Sequence, residues 1–175
     1  MLLDTLRKRR SIRSFTDQIV EQEKIDQLLE MALRSPSSRG LKPWQFIVVQ
    51  DTEKLKALAV IKEHGGTFID KAPLAIVIVA NPEKCDVWIE DCSIASAIIH
   101  LGAEELGLGS CWVQVRKRAD KEGVDAEINA AHVLGLSAGM RVLSIVSIGY
   151  RAASKEGHPR ESLDYSVIHN DSFSA

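Results

Sequence analysis

Apolar positions along the chain alternate between segments of helical period and short continuous runs. Ile25, Leu28, Leu29, Ala32 and Leu33 recur at the i, i+3, i+4, i+7, i+8 spacing of one buried stripe, which predicts a helix over residues 23–34. Pro36 lacks the N–H that would continue it. Residues 2–10 form a shorter helical pattern that carries Leu3 and Leu6, with cations in the last turn, where the helix dipole favours positive charge. Residues 46–49 read as a short buried strand, and residues 52–61 as a helix with Leu55, Leu58 and Ala59 inward. His64-Gly65-Gly66-Thr67 is a loop and the segment expected to be most mobile.

The second half repeats the alternation. Leu74–Ala80 is a run of seven apolar residues closed by Asn81-Pro82, the pattern of a fully buried strand. Residues 89–106 follow, opened by acids and closed by Gly107. Two apolar stripes cover this helix: Cys92, Ala95 and Ile99 on one side, Ile94, Ile98 and Leu101 on another. One stripe fits a sheet and the other a second subunit; a central core helix of a monomer would show the same pattern. Residues 110–115 and 142–148 are further strands, separated by a helix at residues 126–134. Beyond Gly149 the chain is polar and turn-rich, with Tyr165, Val167, Ile168 and Phe173 as scattered anchors that need another surface to order them. Strands and helices alternate without an internal repeat or linker, which gives an α/β or α+β class with one mixed sheet in a single domain over residues 1–175.

Bulk properties narrow the chemistry. A chain of 175 residues is long enough for one core and short for two domains. A formal net charge of -2 argues against a nucleic-acid partner held by phosphate contacts. Three cysteines (Cys85, Cys92, Cys111) without Cys-x-x-Cys spacing fit a reducing compartment, and no apolar run approaches the ~20 residues of a membrane span. Met1-Leu2-Leu3 runs directly into Asp4, unlike a secretory signal, so a soluble cytoplasmic domain is expected.

Against that near-neutral background, Arg7, Lys8, Arg9, Arg10 and Arg13 place five cations within seven residues, with Ser11 among them. A phosphate monoester carries roughly -1.5 to -2 charges, and guanidinium groups match its oxygens in a bidentate way. If the helix ends near Arg10, then Arg9, Ser11 and Arg13 can converge where the chain turns extended; a solvated cationic helix end would need no ligand. A second motif, Ser35-Pro36-Ser37-Ser38-Arg39-Gly40-Leu41-Lys42-Pro43-Trp44, is a rigid small-residue loop that exposes amides and hydroxyls to a flat ring system. It also reads simply as a helix stop and a strand start with Trp44 in the core.

Arg-Arg-Ser-x-Arg-x-Phe, then Ser-Pro-Ser-Ser with Pro-Trp-Gln-Phe-Ile-Val-Val, resembles the FMN-dependent nitroreductase family. The likeness continues through Asp91 and its apolar helix, Leu106-Gly107-Leu108-Gly109-Ser110-Cys111-Trp112, Ile148-Gly149-Tyr150 and Pro159-Arg160. The resemblance implies an α+β fold of the α/β-sandwich type: a mixed, mostly antiparallel sheet flanked by helices, in a dimer with a domain-swapped C-terminal tail. It implies a homodimer with FMN at the subunit interface and NADH or NADPH as reductant. Hydride would pass through flavin N5 to a small electron acceptor, nitroaromatic or quinone, in a ping-pong cycle with no catalytic side chain. Carried over residue by residue, Arg9, Arg10, Ser11 and Arg13 would hold the phosphate and ribityl chain, joined by Arg160. Pro36, Ser37, Ser38, Gly40 and Lys42 would edge the flavin of the other subunit. Trp112, Val113, Gln114 and Val115 would run beside the isoalloxazine, with a backbone amide near Gln114 facing N5.

Gly40 and Lys42 depart from the Asn and Gln that many members carry; Lys42 either favours the anionic reduced flavin or is a solvated surface lysine. The alternatives are a non-catalytic FMN-binding or redox-sensing module, a specialised flavin reductase or dehalogenase on the same fold, and an anion-binding interaction protein. Other chemistries lack their residues: five scattered histidines offer no metal spacing, and Gly107-x-Gly109 lies after a helix and before a strand, the reverse of a dinucleotide loop. His100 reads as a satisfied core or interface histidine, and Cys92 and Cys111 as inert thiols.

Overall fold

Two strands buried on both faces form the middle of the molecule. The computed structural model describes residues 1–173. In chain order the elements are α1 (Leu2–Lys8), α2 (Gln22–Leu33), β1 (Trp44–Val49), α3 (Thr52–Ala59), β2 (Leu74–Ala80), α4 (Trp88–Glu105), β3 (Gly109–Gln114), α5 (Ala126–Leu134) and β4 (Arg141–Gly149). The strands lie in the order β1-β2-β4-β3, and all three pairings are antiparallel. A parallel bridge from Ser11 to Ser110 is the non-antiparallel addition, so the sheet is less mixed than the sequence pattern suggests.

β2 explains the layering. Leu74, Ile76, Ile78 and Ala80 face α2 and α4, while Ala75, Val77 and Val79 face α3 and α5. Because helices cover both faces, every position of the strand is buried and the run is apolar throughout. β4 follows the same logic, but its register slips opposite Ile78 and Val79. Near that slip the buried Ser144 hydroxyl meets Ser96 Oγ at 2.9 Å, and Ser96 also bonds the Cys92 carbonyl at 2.8 Å. Two hydroxyls inside an apolar layer are thereby satisfied.

On α4, Cys92, Ala95 and Ile99 are fully buried against the sheet. Gly102 lets α2 approach, since a Cβ there would stand 2.5 Å from Met31 Sδ. The second stripe is open: Ile94 is 41% exposed, and Ile98 and Leu101 line a cavity of about 400 Å³ with Leu2 and Met31. Most element ends fall within two residues of the sequence pattern. α1 stops at Lys8 because Arg9 turns extended (φ -56, ψ 129), and β1 begins at Trp44, which is buried.

After Gly149 the chain runs over the surface with single 3₁₀ turns at Arg160–Ser162 and Tyr165–Val167. The anticipated anchors have little cover within the chain: Tyr165 is 56%, Val167 68%, Ile168 61% and Phe173 80% exposed. Among the described residues no helix is long and apolar enough to cross a membrane.

Ile76 is fully buried on the central strand, so Ile76→Ala should lower stability by about 2–5 kcal/mol. Urea unfolding followed by circular dichroism measures it, and a loss under about 1 kcal/mol would contradict this packing.

Candidate functional site

The first motif leaves α1 as an extended segment stitched to the end of the sheet. The Ile12 N–H donates to the Ser110 carbonyl at 2.9 Å, Thr16 N–H to the Tyr150 carbonyl at 2.9 Å, and Ala152 N–H to the Ser14 carbonyl at 3.1 Å. Ile12 and Phe15 are buried beside Ala72 and Phe68, and these two anchors leave Ser11, Arg13 and Ser14 facing out. Arg13 lies over the Phe68 ring at 5.7 Å, a cation–π arrangement that orients its guanidinium.

The cations do not all meet at one point. Ser11, Arg13 and Ser14 line a cavity of about 370 Å³ with Ser154 and Lys155 from the segment after β4. Arg9 lines a neighbouring cavity of about 640 Å³ with Arg7, His158, Arg160 and Tyr165. Arg9 and Arg160 therefore come together, as do Ser11 and Arg13, but in separate depressions. Arg10 turns away and donates to the Glu156 carbonyl, holding the tail. Gly157 crosses the end of α1 so closely that a Cβ would collide with the Arg7 carbonyl.

β3 presents an open edge beside these cavities. Since the Ser110 carbonyl points outward to Ile12, the two-residue period turns the backbone polar groups of Trp112 and Gln114 to the same side. Val115 N–H points the other way, to the Leu143 carbonyl at 3.2 Å. The side chains of Val113 and Val115 are buried and their backbone groups point inward, Val113 in the ladder to β4 and Val115 with its carbonyl also accepting Arg118 N–H at 3.1 Å. Of the four residues expected beside the ring, only Trp112 and Gln114 therefore turn backbone groups outward. Trp112 Nε1 donates to Gln114 Oε1 at 3.0 Å, and Gln114 Nε2 to the Arg116 carbonyl at 2.9 Å, which pins the Gln114 side chain.

Two residues at this edge carry no motif. Lys62 is only 8% exposed and donates Nζ to the Gln114 carbonyl at 3.0 Å. Burial, then the charge of Arg118, pushes its pKa below the ordinary lysine value. Lys155 joins Arg13 through the fold alone. Both lie in polar segments that look like solvated loops, and the anomaly of Lys62 is visible only as burial. Cys111 lies under the same edge; burial raises its pKa, partly opposed by Arg13, Ser11 and nearby lysines. Burial pushes the Cys92 thiol up to about 12, which fits an inert core thiol.

The second motif is a tight turn that includes a 3₁₀ segment, Ser38–Gly40. Arg39, Gly40 and Lys42 all have positive φ (54, 66 and 48), costly for the two non-glycine residues. The polar network holds them there. Ser37 Oγ accepts Lys42 N–H at 3.1 Å, the buried Asp91 accepts Ser38 N–H at 2.9 Å, and Arg39 pairs with Asp86. Pro36 and the Lys42 side chain are exposed, and Ser37 and Ser38 half-buried. This turn lies on the wall of neither cavity that carries the first motif's cations. Among the described residues no cluster of His, Cys, Asp and Glu could hold a metal.

His100, on α4, connects the two halves of the first motif. Its Nε2 lies 2.9 Å from Arg9 Nη1, and its Nδ1 bonds the Ser110 hydroxyl. Burial, and secondarily the charge of Arg9, lowers its pKa from 6.5 to about 4.

Residues 6–64 and 59–150 match the family model described as the nitroreductase family. A solved structure described as an FMN-dependent nitroreductase from Clostridium difficile R20291 is 48% identical, with a TM-score of 0.95, covering 98% of this chain and 99% of that one. A protein of Archaeoglobus fulgidus, named provisionally as an NADH dehydrogenase/NAD(P)H nitroreductase, is 36% identical over 152 residues, or 85% of this chain and 84% of its own. The Bacillus subtilis FMN reductase [NAD(P)H] is 27% identical over 185 residues, 94% of this chain and 72% of its own.

His100 binds its proton less readily folded than unfolded, so its contribution to stability is full above pH 6.5 and declines as pH falls toward about 4. Urea unfolding across that window should show a loss on the order of 3 kcal/mol in wild type relative to His100→Gln. Identical pH profiles would contradict the assignment. Asp91→Ala should strip the Ser38 amide of its acceptor, cost about 1–3 kcal/mol, and speed proteolytic cleavage within residues 35–43.

Proposed function

The chain belongs to the nitroreductase family, and on that premise we propose that it is an FMN-dependent NAD(P)H oxidoreductase that reduces nitroaromatic, quinone or similar electron-poor acceptors. The observation that carries the reading is the open edge of β3, flanked by Ser11, Arg13 and Lys155 on one side and by the buried Lys62 on the other. The donor set fits the cofactor. Arg13, Lys155, Ser11, Ser14 and Ser154 offer two cations and three hydroxyls around one cavity, and Arg9 and Arg160 face another, as a phosphate and a polyhydroxyl chain require. The outward amides of Trp112 and Gln114 offer donors to a planar heterocycle. When bound, FMN supplies two-electron transfer between a reduced nicotinamide and the acceptor at one ring face.

This chain's own residues then bind, orient and tune. Arg9 and Arg160 would neutralise the phosphate in the cavity they share, while Arg13 and Ser11, in the other, would hold the adjoining ribityl chain. Arg10 acts indirectly, by fixing the tail that brings Arg160 into place. The Gln114 amide is aimed by the β3 ladder, and Lys62 braces the Gln114 carbonyl behind it. No side chain is needed as an acid or base.

Two segments could close over the site, residues 63–71 and 116–123. Both are short, and they are tied to one another: Glu63 N–H donates to the Ala119 carbonyl at 3.0 Å, and Asn129 bridges the Ile61 carbonyl and Asp120. Such a site stays accessible, which supports broad acceptor use and a cycle in which nicotinamide leaves before the acceptor enters.

The same reading makes the protein a homodimer. Support comes from the apolar surface left uncovered on α1 (Leu2 65%, Leu3 53% and Leu6 49% exposed), on α4 at Ile94 and along the tail. In that assembly Pro36, Ser37, Ser38, Gly40 and Lys42 would reach the partner's cofactor, and the tail would wrap the partner. Three buried, free cysteines fit the reducing cytoplasm.

Purified protein should be yellow with FMN, elute as a dimer, and show parallel double-reciprocal lines with NADH or NADPH against a quinone. Protein that neither retains nor takes up FMN would sink the reading. Arg13→Ala should weaken FMN binding about 10–100-fold, as loss of a charged hydrogen bond does.

A further inference from the structure

We infer that His100 is a positioning residue: held as its neutral Nδ1–H tautomer, it aims Arg9 at the cofactor's phosphate and so sets the preference for a phosphorylated flavin. The inference rests on the FMN reading above. It is carried by a hydrogen-bond chain in which each role follows from the last.

A guanidinium group has only donors, so at 2.9 Å the Arg9 Nη1 must donate and His100 Nε2 must accept. Nδ1 then carries the ring proton and donates to Ser110 Oγ, whose own proton is left for the His100 carbonyl at 3.4 Å. The chain runs from Arg9 through the ring and back to α4 with every proton assigned. Protonation of the ring would remove the acceptor and set two cations against each other. Burial keeps the ring neutral in the working pH range.

The consequence for Arg9 is geometric. It stands at the end of α1, half-buried, with a long side chain whose rotamer freedom opposes any single pose. One N–H fixed on Nε2 leaves its remaining donors for the cavity shared with Arg160 and His158. Glu104, one turn further along α4, would compete for Arg9, but it is paired with Arg151. Ser110, the other partner of the ring, also holds Ile12 through its carbonyl. His100 therefore links the Arg9 side of the motif to the Ser11–Arg13 side, although it lines neither cavity itself.

The test titrates FMN and riboflavin separately into flavin-stripped wild type, His100→Leu, His100→Gln and Arg9→Ala, followed by flavin fluorescence. Wild type should prefer FMN. His100→Leu should weaken FMN binding about tenfold and leave riboflavin binding within about twofold, as expected when one charged contact is misdirected. His100→Gln should restore most of the loss, because its amide oxygen can accept from Arg9 while its nitrogen donates to Ser110. In the Arg9→Ala background, His100→Leu should add nothing further. Unchanged FMN affinity in His100→Leu, or equal losses for both flavins, would overturn the inference while leaving the FMN reading intact. Wild type that binds neither flavin would overturn both. ¹⁵N NMR of the wild-type imidazole is independent of any variant's folding: a proton on Nδ1 supports the inference, and a proton on Nε2 overturns it.

Discussion

The structure depends on the antiparallel pairing of β2 with β4, two strands buried on both faces. A strand in that position exposes almost no side chain to water, so β2 is apolar on both parities, the serines buried in β4 are hydrogen-bonded, and helices must stand above and below. The rest of the layering follows. α2 and α4 cover one face and α3 and α5 the other, while β1 and β3 are left as edges. An edge strand is a hazard when it stays open and a resource when something is meant to occupy it. On β3 the first part of the edge is taken by Ile12, whose own segment walls a cavity with Arg13 and Lys155. The backbone donors of Trp112 and Gln114 continue along the same edge without lining that cavity.

The polar interactions around that edge have the opposite character from the core. They are few, directional and held by buried or half-buried groups: Asp91 at the Ser38 turn, His100 at Arg9, Lys62 at the Gln114 carbonyl. Each is a polar or charged side chain withdrawn from water, which is tolerated only because it is hydrogen-bonded. Such groups contribute little net stability, yet they define geometry sharply, since any other arrangement would leave one of them unsatisfied. This is how a fold dominated by non-directional burial holds backbone amides and guanidinium groups in fixed directions. It also accounts for the positive φ values at Arg39 and Lys42, where the surrounding bonds outweigh local strain.

Charge is distributed to the same end. The chain carries a net charge of -2, but Arg7, Arg9 and Arg160 gather around one cavity and Arg13 and Lys155 around another near the end of α1 and the tail. A local positive field in a near-neutral protein attracts a small anion without making the surface broadly adhesive to polyanions. The uncovered apolar stripes on α1, α4 and the tail are consistent with a partner surface, because several large side chains remain open together rather than singly.

Much of the fold was legible in the sequence. The apolar run of β2, the stripe of α2 and the two stripes of α4 each reflect a local periodicity set by burial, and burial follows directly from side-chain chemistry. The presence of two motifs was legible for the same reason: prolines, small residues and clustered cations are local choices. What the sequence left open was convergence. That Arg9 and Arg160 share one cavity, that Arg13 meets Lys155 in another, and that Arg10 serves the tail are decided by where distant segments cross. Lys62 and His100 are the clearest cases, since neither belongs to a pattern and both acquire their roles from burial beside one particular backbone carbonyl or guanidinium. The sequence by itself determined the elements, which of them are buried on one face or two, and the kind of ligand they suit, because those depend on hydrophobicity and charge along the chain. Only the tertiary structure decided which donors face one another, because hydrogen bonds act over a few ångströms between residues that lie far apart along the chain.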